Sequence, residues 1–318
     1  MFTSFSRTAI LGLFLLFLHI PLTFAAPSTS STKPTVKLLK SADGTTIYAD
    51  AIGNPAKQSL VFLHGFALSG VVFDNLFTNK KLLDNFYLVR YDMRGHGRSG
   101  KPATPDAHVS VRYADDFSAV LKGFNLKKPI FIGWSLASAV ITDIVANINP
   151  IPIAAAVALG GSPGIDGTIV PQIASQLLLT VLPEFNQKTD VTLALQARVD
   201  FVNALFANPQ SDALKDTYLG QTVVQSPDVS ALVSLRPQDP SKLFDAASKG
   251  FQLLILSGQS DKMVIGSAVS TLFAPHFTKN NLVTKIIPGG HALWEDNQTG
   301  MVTELTNFVT KVTGVRTI

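Results

Sequence analysis

Cysteine is absent from this sequence of 318 residues. Its absence excludes a disulfide framework, thiol chemistry and thiolate metal sites, so packing alone has to stabilise the fold. Charged residues are also scarce, at 15% against 46% hydrophobic residues, and this composition excludes a disordered protein. The net charge of +4 is scattered, with no basic run longer than a pair, so the sequence does not favour a nucleic-acid partner.

No apolar run in the sequence has the length of a typical membrane span. Residues 9–20 (AILGLFLLFLHI) form a run of twelve residues, whereas a spanning helix needs about 20. This run follows Arg7 and precedes Pro21 and the small residues around Ala25, which is the pattern of a secretory signal peptide, residues 1–25. An uncleaved membrane anchor is the alternative. We expect a secreted protein with no stable membrane span after signal removal.

The rest of the chain predicts an α/β fold. Residues 26–34 (APSTSSTKP) are polar and contain proline, so we expect a mobile leader. Two strand-like runs then flank the turn Asp43-Gly44, which indicates a hairpin. Further apolar runs alternate with helix-like segments, and several are almost continuously apolar, as strands buried on both faces are. This alternation predicts a mostly parallel, doubly wound sheet.

Residues 164–250 are the exception, since they contain no good strand-like run. Segments 169–185 and 191–209 carry apolar residues at helical spacing instead. We predict a helical cap inserted between strands six and seven of a core formed by residues 35–163 and 251–318. Apolar cap residues such as Leu178 and Phe201 would form either the wall of an apolar pocket or only the interior of the cap.

Ser135 lies where a strand pattern ends and a helix pattern begins. Such a serine either caps the helix or acts as a nucleophile. Residues 133–137 (GWSLA) resemble the nucleophile elbow, G-x-S-x-G, of the α/β-hydrolase family, with Ala137 in place of the second glycine. Alanine adds only a methyl group, so we expect the sharp turn to remain possible. The resemblance extends over residues 36–312.

Two further segments resemble the same family. Residues 61–66 (VFLHGF) resemble its oxyanion loop, which implies that Phe66 and Leu136 donate backbone N–H groups to the oxyanion and that His64 is structural. Residues 90–102 (RYDMRGHGRSGKP) resemble its glycine-rich turn. The resemblance implies that Asp92 and Arg94 hold this turn and that His96 is a turn residue.

The acid and the histidine of the family follow the serine in chain order. Asp261 stands after an apolar strand, where the family holds its acid, and Gly289, Gly290 and His291 match the loop of the catalytic histidine. Asp166, after the sixth predicted strand, is an alternative acid. The resemblance implies a triad of Ser135, Asp261 and His291 that needs neither a metal nor an organic cofactor.

Two features of the last predicted helix have simpler interpretations. Glu295 and Asp296 stand near its beginning, where acids suit the helix dipole. Asn297 begins the sole N-glycosylation sequon of the chain and is a candidate glycosylation site.

The resemblance implies a secreted serine hydrolase that cleaves a small or medium apolar carboxylic ester through an acyl-enzyme on Ser135. Cofactor-free haloperoxidases and perhydrolases use the same triad and are the first alternative. A non-catalytic ligand-binding protein that keeps a hydrolase fold is the second, although the intact set of serine, aspartate and histidine argues against it.

Overall fold

A central sheet organises the computed structural model, which describes residues 31–234, 236–278 and 280–315. The predicted signal peptide, residues 1–25, and the first part of the predicted leader, residues 26–30, lie outside the described residues. The sheet has eight strands in the order β1-β2-β4-β3-β5-β6-β7-β8. These strands are β1 Ser31–Lys40, β2 Thr46–Gly53, β3 Ser59–Leu63, β4 Tyr87–Tyr91, β5 Ile130–Trp134, β6 Ala155–Leu159, β7 Gln252–Gly258 and β8 Leu282–Ile287.

The pairing of the strands confirms the predicted mostly parallel sheet. β1 pairs with β2 and β2 with β4 in antiparallel register, and every other neighbouring pair is parallel. Strands β3, β4, β5 and β6 are buried at every position. Burial on both faces explains why their sequences are mostly apolar and do not alternate with polar residues.

The first strand begins earlier than the sequence indicates. The predicted leader ends at residue 34, but β1 begins at Ser31, so residues 31–34 belong to the sheet. Ser31 pairs with Gly53, and an irregularity separates this pair from the regular register that starts at Thr35. β1 lies at the edge of the sheet, where Pro34 is tolerated although it has no N–H group. Backbone pairing with β2 thus outweighs the polar composition of these residues.

Helices connect most of the parallel strands and flank the sheet. α3 packs against α4, while α12 contacts α1, β7 and β8. None of the helices in the described ranges combines the length and apolar character needed to cross a membrane. The helices are α1 Asp74–Phe77, α2 Lys80–Asn85, α3 Ser110–Phe124, α4 Val140–Asn147, α5 Val170–Ile173, α6 Gln176–Phe185, α7 Val191–Ala204, α8 Asp212–Thr222, α9 Pro227–Ser234, α10 Ser241–Ser248, α11 Gly266–Phe273 and α12 Leu293–Thr313.

The segment between β6 and β7 is helical, as predicted, and contains α5 to α10. The predicted helix over residues 169–185 is interrupted at Ala174 and Ser175. Ala174 forms a β-bridge with Val264, and the Ser175 side chain accepts a hydrogen bond from the Leu178 N–H to cap α6. The last helix of this segment, α10, packs against α4 beside the sheet.

Candidate active site

Ser135 occupies a tight turn at the end of β5. Its φ of 57° lies in the left-handed region, which costs a non-glycine residue about 1–3 kcal/mol. Residues Ser135–Ala139 form a 3-10 turn, and the α-helix that the sequence places directly at Ser135 begins only at Val140. A Cβ atom on Gly133 would lie 2.3 Å from the Ala137 carbonyl oxygen. The small residues predicted around the serine are therefore required by contact with the turn.

His291 and Asp261 form a buried pair. The distance from His291 Nδ1 to Asp261 Oδ2 is 2.8 Å, and their side chains are 1% and 2% exposed. The other carboxylate oxygen, Oδ1, accepts hydrogen bonds from the N–H groups of Met263 and Val264 at 2.8 and 2.9 Å. The carboxylate is thus held in one orientation. Because a carboxylate only accepts, Nδ1 of His291 carries a proton, and in the neutral imidazole this leaves Nε2 as the acceptor.

The ends of β5 and β6 bring the serine and this pair together. Trp134, just before Ser135, donates its Nε1–H to the His291 carbonyl oxygen at 2.9 Å. A Cβ atom on Gly161 would lie 2.2 Å from the Ser135 carbonyl oxygen, and one on Gly160 would lie 3.2 Å from the His291 carbonyl oxygen. The sequence carries no signal for the role of Trp134, because the second position of the G-x-S-x-G motif accepts any residue.

The predicted oxyanion residues stand at the same place. Phe66 and Leu136 line one pocket together with Ser135. A Cβ atom on Gly65 would lie 2.9 Å from the Cβ of Ser135, so the loop after β3 packs directly on the serine. The next loop residue, Ala67, has a φ of 58°, which shows that the loop is sharply bent.

His64 supports the predicted oxyanion loop, and both of its ring nitrogens are occupied by backbone hydrogen bonds, so it is not available as a base. Its Nε2 accepts a hydrogen bond from the Met93 N–H at 3.0 Å, so its Nδ1 carries the proton that is donated to the Gly65 carbonyl oxygen at 2.8 Å. Burial lowers the pKa of His64, which favours this neutral form. The Gly65 carbonyl and the Phe66 N–H share one planar peptide unit. His64 therefore orients the predicted oxyanion donor.

The glycine-rich turn is held by Asp92. This buried carboxylate accepts hydrogen bonds from the Gly70 N–H and from the backbone and guanidinium of Arg98. Arg94, which lies in the same turn, forms ion pairs with Asp43 of the first hairpin and with Asp116 of α3. Asp92 thus holds the turn from within, and Arg94 anchors it to the first hairpin and to α3, as the resemblance implies for both residues.

His96 contacts the cap. Gln225 donates its Nε2–H to His96 Nε2 at 3.0 Å, and His96 Nδ1 donates to the Arg94 carbonyl oxygen at 3.1 Å. Burial lowers the pKa of His96 to about 3. A neutral, fully hydrogen-bonded imidazole of this kind is structural, as a turn residue is expected to be.

An apolar pocket opens at Ser135. Its empty space, including the part open to solvent, is about 690 Å³. The cap residues Leu178 and Phe201 line it, which favours the first of their two predicted roles. The Phe66 ring packs against Phe201 and Phe185 with centroid distances of 6.1 and 5.1 Å. All lining side chains are uncharged, and the polar ones are serines, so the pocket suits an uncharged apolar group.

A comparison with known families identifies the class to which the protein belongs. The family described as alpha/beta hydrolase fold matches residues 58–298, a range that includes Ser135, Asp261 and His291. The chain belongs to this family. The fold and the family resemblance inferred from the sequence are thereby confirmed.

Similar proteins include a probable oxidoreductase, a chloroperoxidase and an esterase. The "Probable oxidoreductase EphD" of Mycobacterium tuberculosis is 35% identical over 102 residues, 32% of this chain and 17% of that protein. The non-heme chloroperoxidase of Streptomyces lividans is 33% identical over 124 residues, 38% of this chain and 43% of that protein. The matches thus span less than half the length of these curated relatives. The esterase RhEst1 of Rhodococcus sp. ECU1013 has a TM-score of 0.75 at 25% identity, over 87% of this chain and 99% of that chain.

The alternative acid, Asp166, has a local function. Its Oδ1 accepts hydrogen bonds from the N–H groups of Thr168 and Ile169 just before α5. It borders a second cleft, whereas Asp261 is the carboxylate bonded to His291. Within the described ranges, no group of three His, Asp or Glu side chains is arranged to hold a metal ion.

Asn297 interrupts the last helix. Its φ of −151° and ψ of 64° are not helical, and its side-chain Nδ2 donates a hydrogen bond to the Pro288 carbonyl oxygen at 2.9 Å. Glycosylation of this residue stays a prediction.

Proposed function

We propose that this α/β hydrolase is a serine esterase that cleaves a small or medium apolar carboxylic ester through an acyl-enzyme on Ser135. The observation that carries the proposal is the position of Ser135 on a strained turn at an apolar pocket, beside the hydrogen-bonded pair His291 and Asp261. The structural likeness to an esterase supports the same reaction class.

Acylation begins when Ser135 Oγ attacks the carbonyl carbon of the ester and His291 Nε2 takes the hydroxyl proton. The carbonyl oxygen becomes an oxyanion that accepts hydrogen bonds from the N–H groups of Phe66 and Leu136, each of which typically lowers the barrier by roughly 3 to 4 kcal/mol. The tetrahedral intermediate then breaks its bond to the alcohol oxygen, which receives the proton from His291.

Deacylation repeats these steps with water. His291 takes a proton from the water as its oxygen attacks the acyl carbon, and Ser135 leaves with that proton while the acid is released. Asp261 stabilises the protonated imidazole throughout. The pocket holds no charged side chain that would pair with a charged acyl group.

Perhydrolysis is the second candidate, favoured by the similarity to the chloroperoxidase. In that reaction hydrogen peroxide replaces water in the attack on the acyl-enzyme, so the product is a peracid. Both reactions share the acyl-enzyme and differ only in the second nucleophile.

We also propose export, with residues 1–25 as a cleaved signal peptide. The apolar run over residues 9–20 and the small residues near Ala25 support it. N-terminal sequencing of protein recovered from the culture medium should begin at Ala26. Recovery of the chain only in membranes, with residues 9–20 retained, would favour the anchor.

A fluorophosphonate probe and an ester series test the proposed reaction. The probe should attach to Ser135, as located by peptide mass spectrometry, and nitrophenyl esters of graded acyl length should be hydrolysed. Parallel assays with added hydrogen peroxide separate esterase from perhydrolase activity, because only the latter forms a peracid. A folded protein that neither reacts with the probe nor cleaves any ester would instead support a ligand-binding protein.

Truncation of the pocket wall in the cap should change the choice of acyl group. Leu178→Ala and Phe201→Ala enlarge the pocket, so we expect kcat/KM to shift toward longer or bulkier acyl chains by roughly tenfold relative to acetate esters. Labelling of Ser135 by a small probe should change little. Val224 is exposed outside the pocket, so Val224→Ala is the control. Equal losses for every ester would show that both residues only stabilise the cap.

A further inference from the structure

The loop that carries His291 is bonded to the cap on both sides of the histidine. The Ala292 N–H donates to the carbonyl oxygen of Leu205, just after α7, at 2.8 Å. The Gly290 N–H donates to Asp296 Oδ2, also at 2.8 Å. Asp296 Oδ2 further accepts from the N–H of Ala207 in the cap, again at 2.8 Å. One carboxylate oxygen therefore joins the histidine loop to the cap.

The second oxygen of Asp296 strengthens the same connection. Oδ1 accepts a hydrogen bond from the Asn208 N–H at 2.9 Å and another from Gln210 Nε2 at 3.3 Å. A group that only accepts is thus surrounded by donors from residues 207–210 and Gly290. This is more than the interaction with the helix dipole that the sequence predicts for an acid at this position.

Gly290 shows how close the two segments are. A Cβ atom there would lie 2.6 Å from the Ala207 nitrogen and 2.9 Å from the Phe206 carbonyl carbon. The backbone of the cap therefore rests directly on the loop, and the second glycine of the Gly-Gly-His sequence is required by the cap.

The same part of the cap contacts the space for the substrate. Phe201 of α7 lines the pocket at Ser135, and the residues that bond to the histidine loop begin four positions later at Leu205. On the other side of the loop, Trp134 holds the His291 carbonyl from the core. A displacement of α7 would thus reach the histidine through the hydrogen bond between Leu205 and Ala292, through the carboxylate of Asp296 and through the tight contact at Gly290.

We propose that Asp296 is a positioning residue that aligns His291 with Ser135 by coupling the histidine loop to the end of α7. It does not touch the substrate. The proposal rests on the proposed esterase function, since it concerns the placement of the base for that reaction. A displacement of about 1 Å at a catalytic group is enough to lower turnover by roughly 100-fold.

The test replaces Asp296 and compares it with its neighbour. In Asp296→Asn an NH₂ group faces backbone N–H donors, so the loop should separate from the cap. We expect kcat to fall roughly 10- to 100-fold with KM nearly unchanged. The loss should be larger for an alkyl ester than for the nitrophenyl ester of the same acid, because the alkoxide leaving group needs the proton from His291.

Glu295→Gln is the matched control. Glu295 stands in the same turn of α12 and accepts hydrogen bonds from Tyr218 of the cap and from Asn75, but not from the histidine loop. We expect Glu295→Gln to leave kcat unchanged and to alter only the stability of the protein and KM. Should Asp296→Asn fail to fold, as judged by circular dichroism, Asp296→Ala removes the carboxylate without adding a donor and is compared in the same way.

Three outcomes would overturn the proposal. They are an unchanged kcat in the folded Asp296 variant, a change confined to KM, and equal effects of the Asp296 and Glu295 variants on both esters. Ser135→Ala is assayed in parallel. If it is inactive while the Asp296 variant behaves like wild type, only the positioning role fails, whereas activity that survives Ser135→Ala removes the esterase function as well.

Discussion

Ser135→Ala should abolish ester hydrolysis, lowering kcat on the order of 10⁶-fold. The hydroxyl is the nucleophile in the proposed reaction, and water cannot replace it at the same position with comparable efficiency. His291→Ala should have a similar effect, because the serine and its base act as one unit. The measurement is kcat for the best nitrophenyl ester, together with the melting temperature. We expect thermal unfolding of both variants to stay close to that of the wild type.

Two further serine variants sharpen this result. Ser135→Gly should be equally inactive and at least as stable as Ser135→Ala, because glycine adopts a φ of 57° without strain. Ser138 is a structural serine of the same turn. It is fully buried and donates a hydrogen bond from its hydroxyl to the Gly133 carbonyl oxygen at 2.7 Å. Ser138→Ala should cost about 1 kcal/mol of stability and retain most of the activity. Full turnover by a folded Ser135→Ala protein would refute the proposed nucleophile.

Asp261→Asn should lower kcat about 10⁴-fold while the fold is retained. The structure predicts how the amide will lie. The N–H groups of Met263 and Val264 require an acceptor, so the amide oxygen should take the place of Oδ1 and the NH₂ group should face His291 Nδ1. Nδ1 must then accept, the proton moves to Nε2, and the imidazole can no longer take a proton from Ser135.

Asp166→Asn is the control for this variant. Asp166 binds the N–H groups of Thr168 and Ile169 and has no bond to His291, so its replacement should leave kcat almost unchanged. The pair of variants is compared with one ester at saturating concentration. If Asp166→Asn were the more damaging change, the acid of the triad would have to be reassigned to the end of β6.

The architecture was predictable because its signals are local. Strands β3 to β6 are buried on both faces, and their sequences are accordingly apolar at nearly every position, with Ser59 and Arg90 as exceptions. Likewise the sharp turn at Ser135 requires small neighbours, and Gly133 and Ala137 are visible in the sequence. Where the predictions failed, a contact between distant segments was responsible. β1 begins at Ser31 because it pairs with β2, and the predicted cap helix breaks where Ala174 pairs with Val264.

In the candidate site too, some features were predictable from local sequence and others depend on contacts between distant segments. The sequence by itself determined the fold family and the order of Ser135, Asp261 and His291, because each stands in a short motif whose residue types reflect local backbone geometry. Tertiary structure alone decided that Trp134 holds the His291 carbonyl and that Asp296 binds Ala207, from which it is separated by 89 positions in the chain. Such contacts depend on where the cap rests on the core, and the packing of whole helices, not any pattern within a few residues, sets that position.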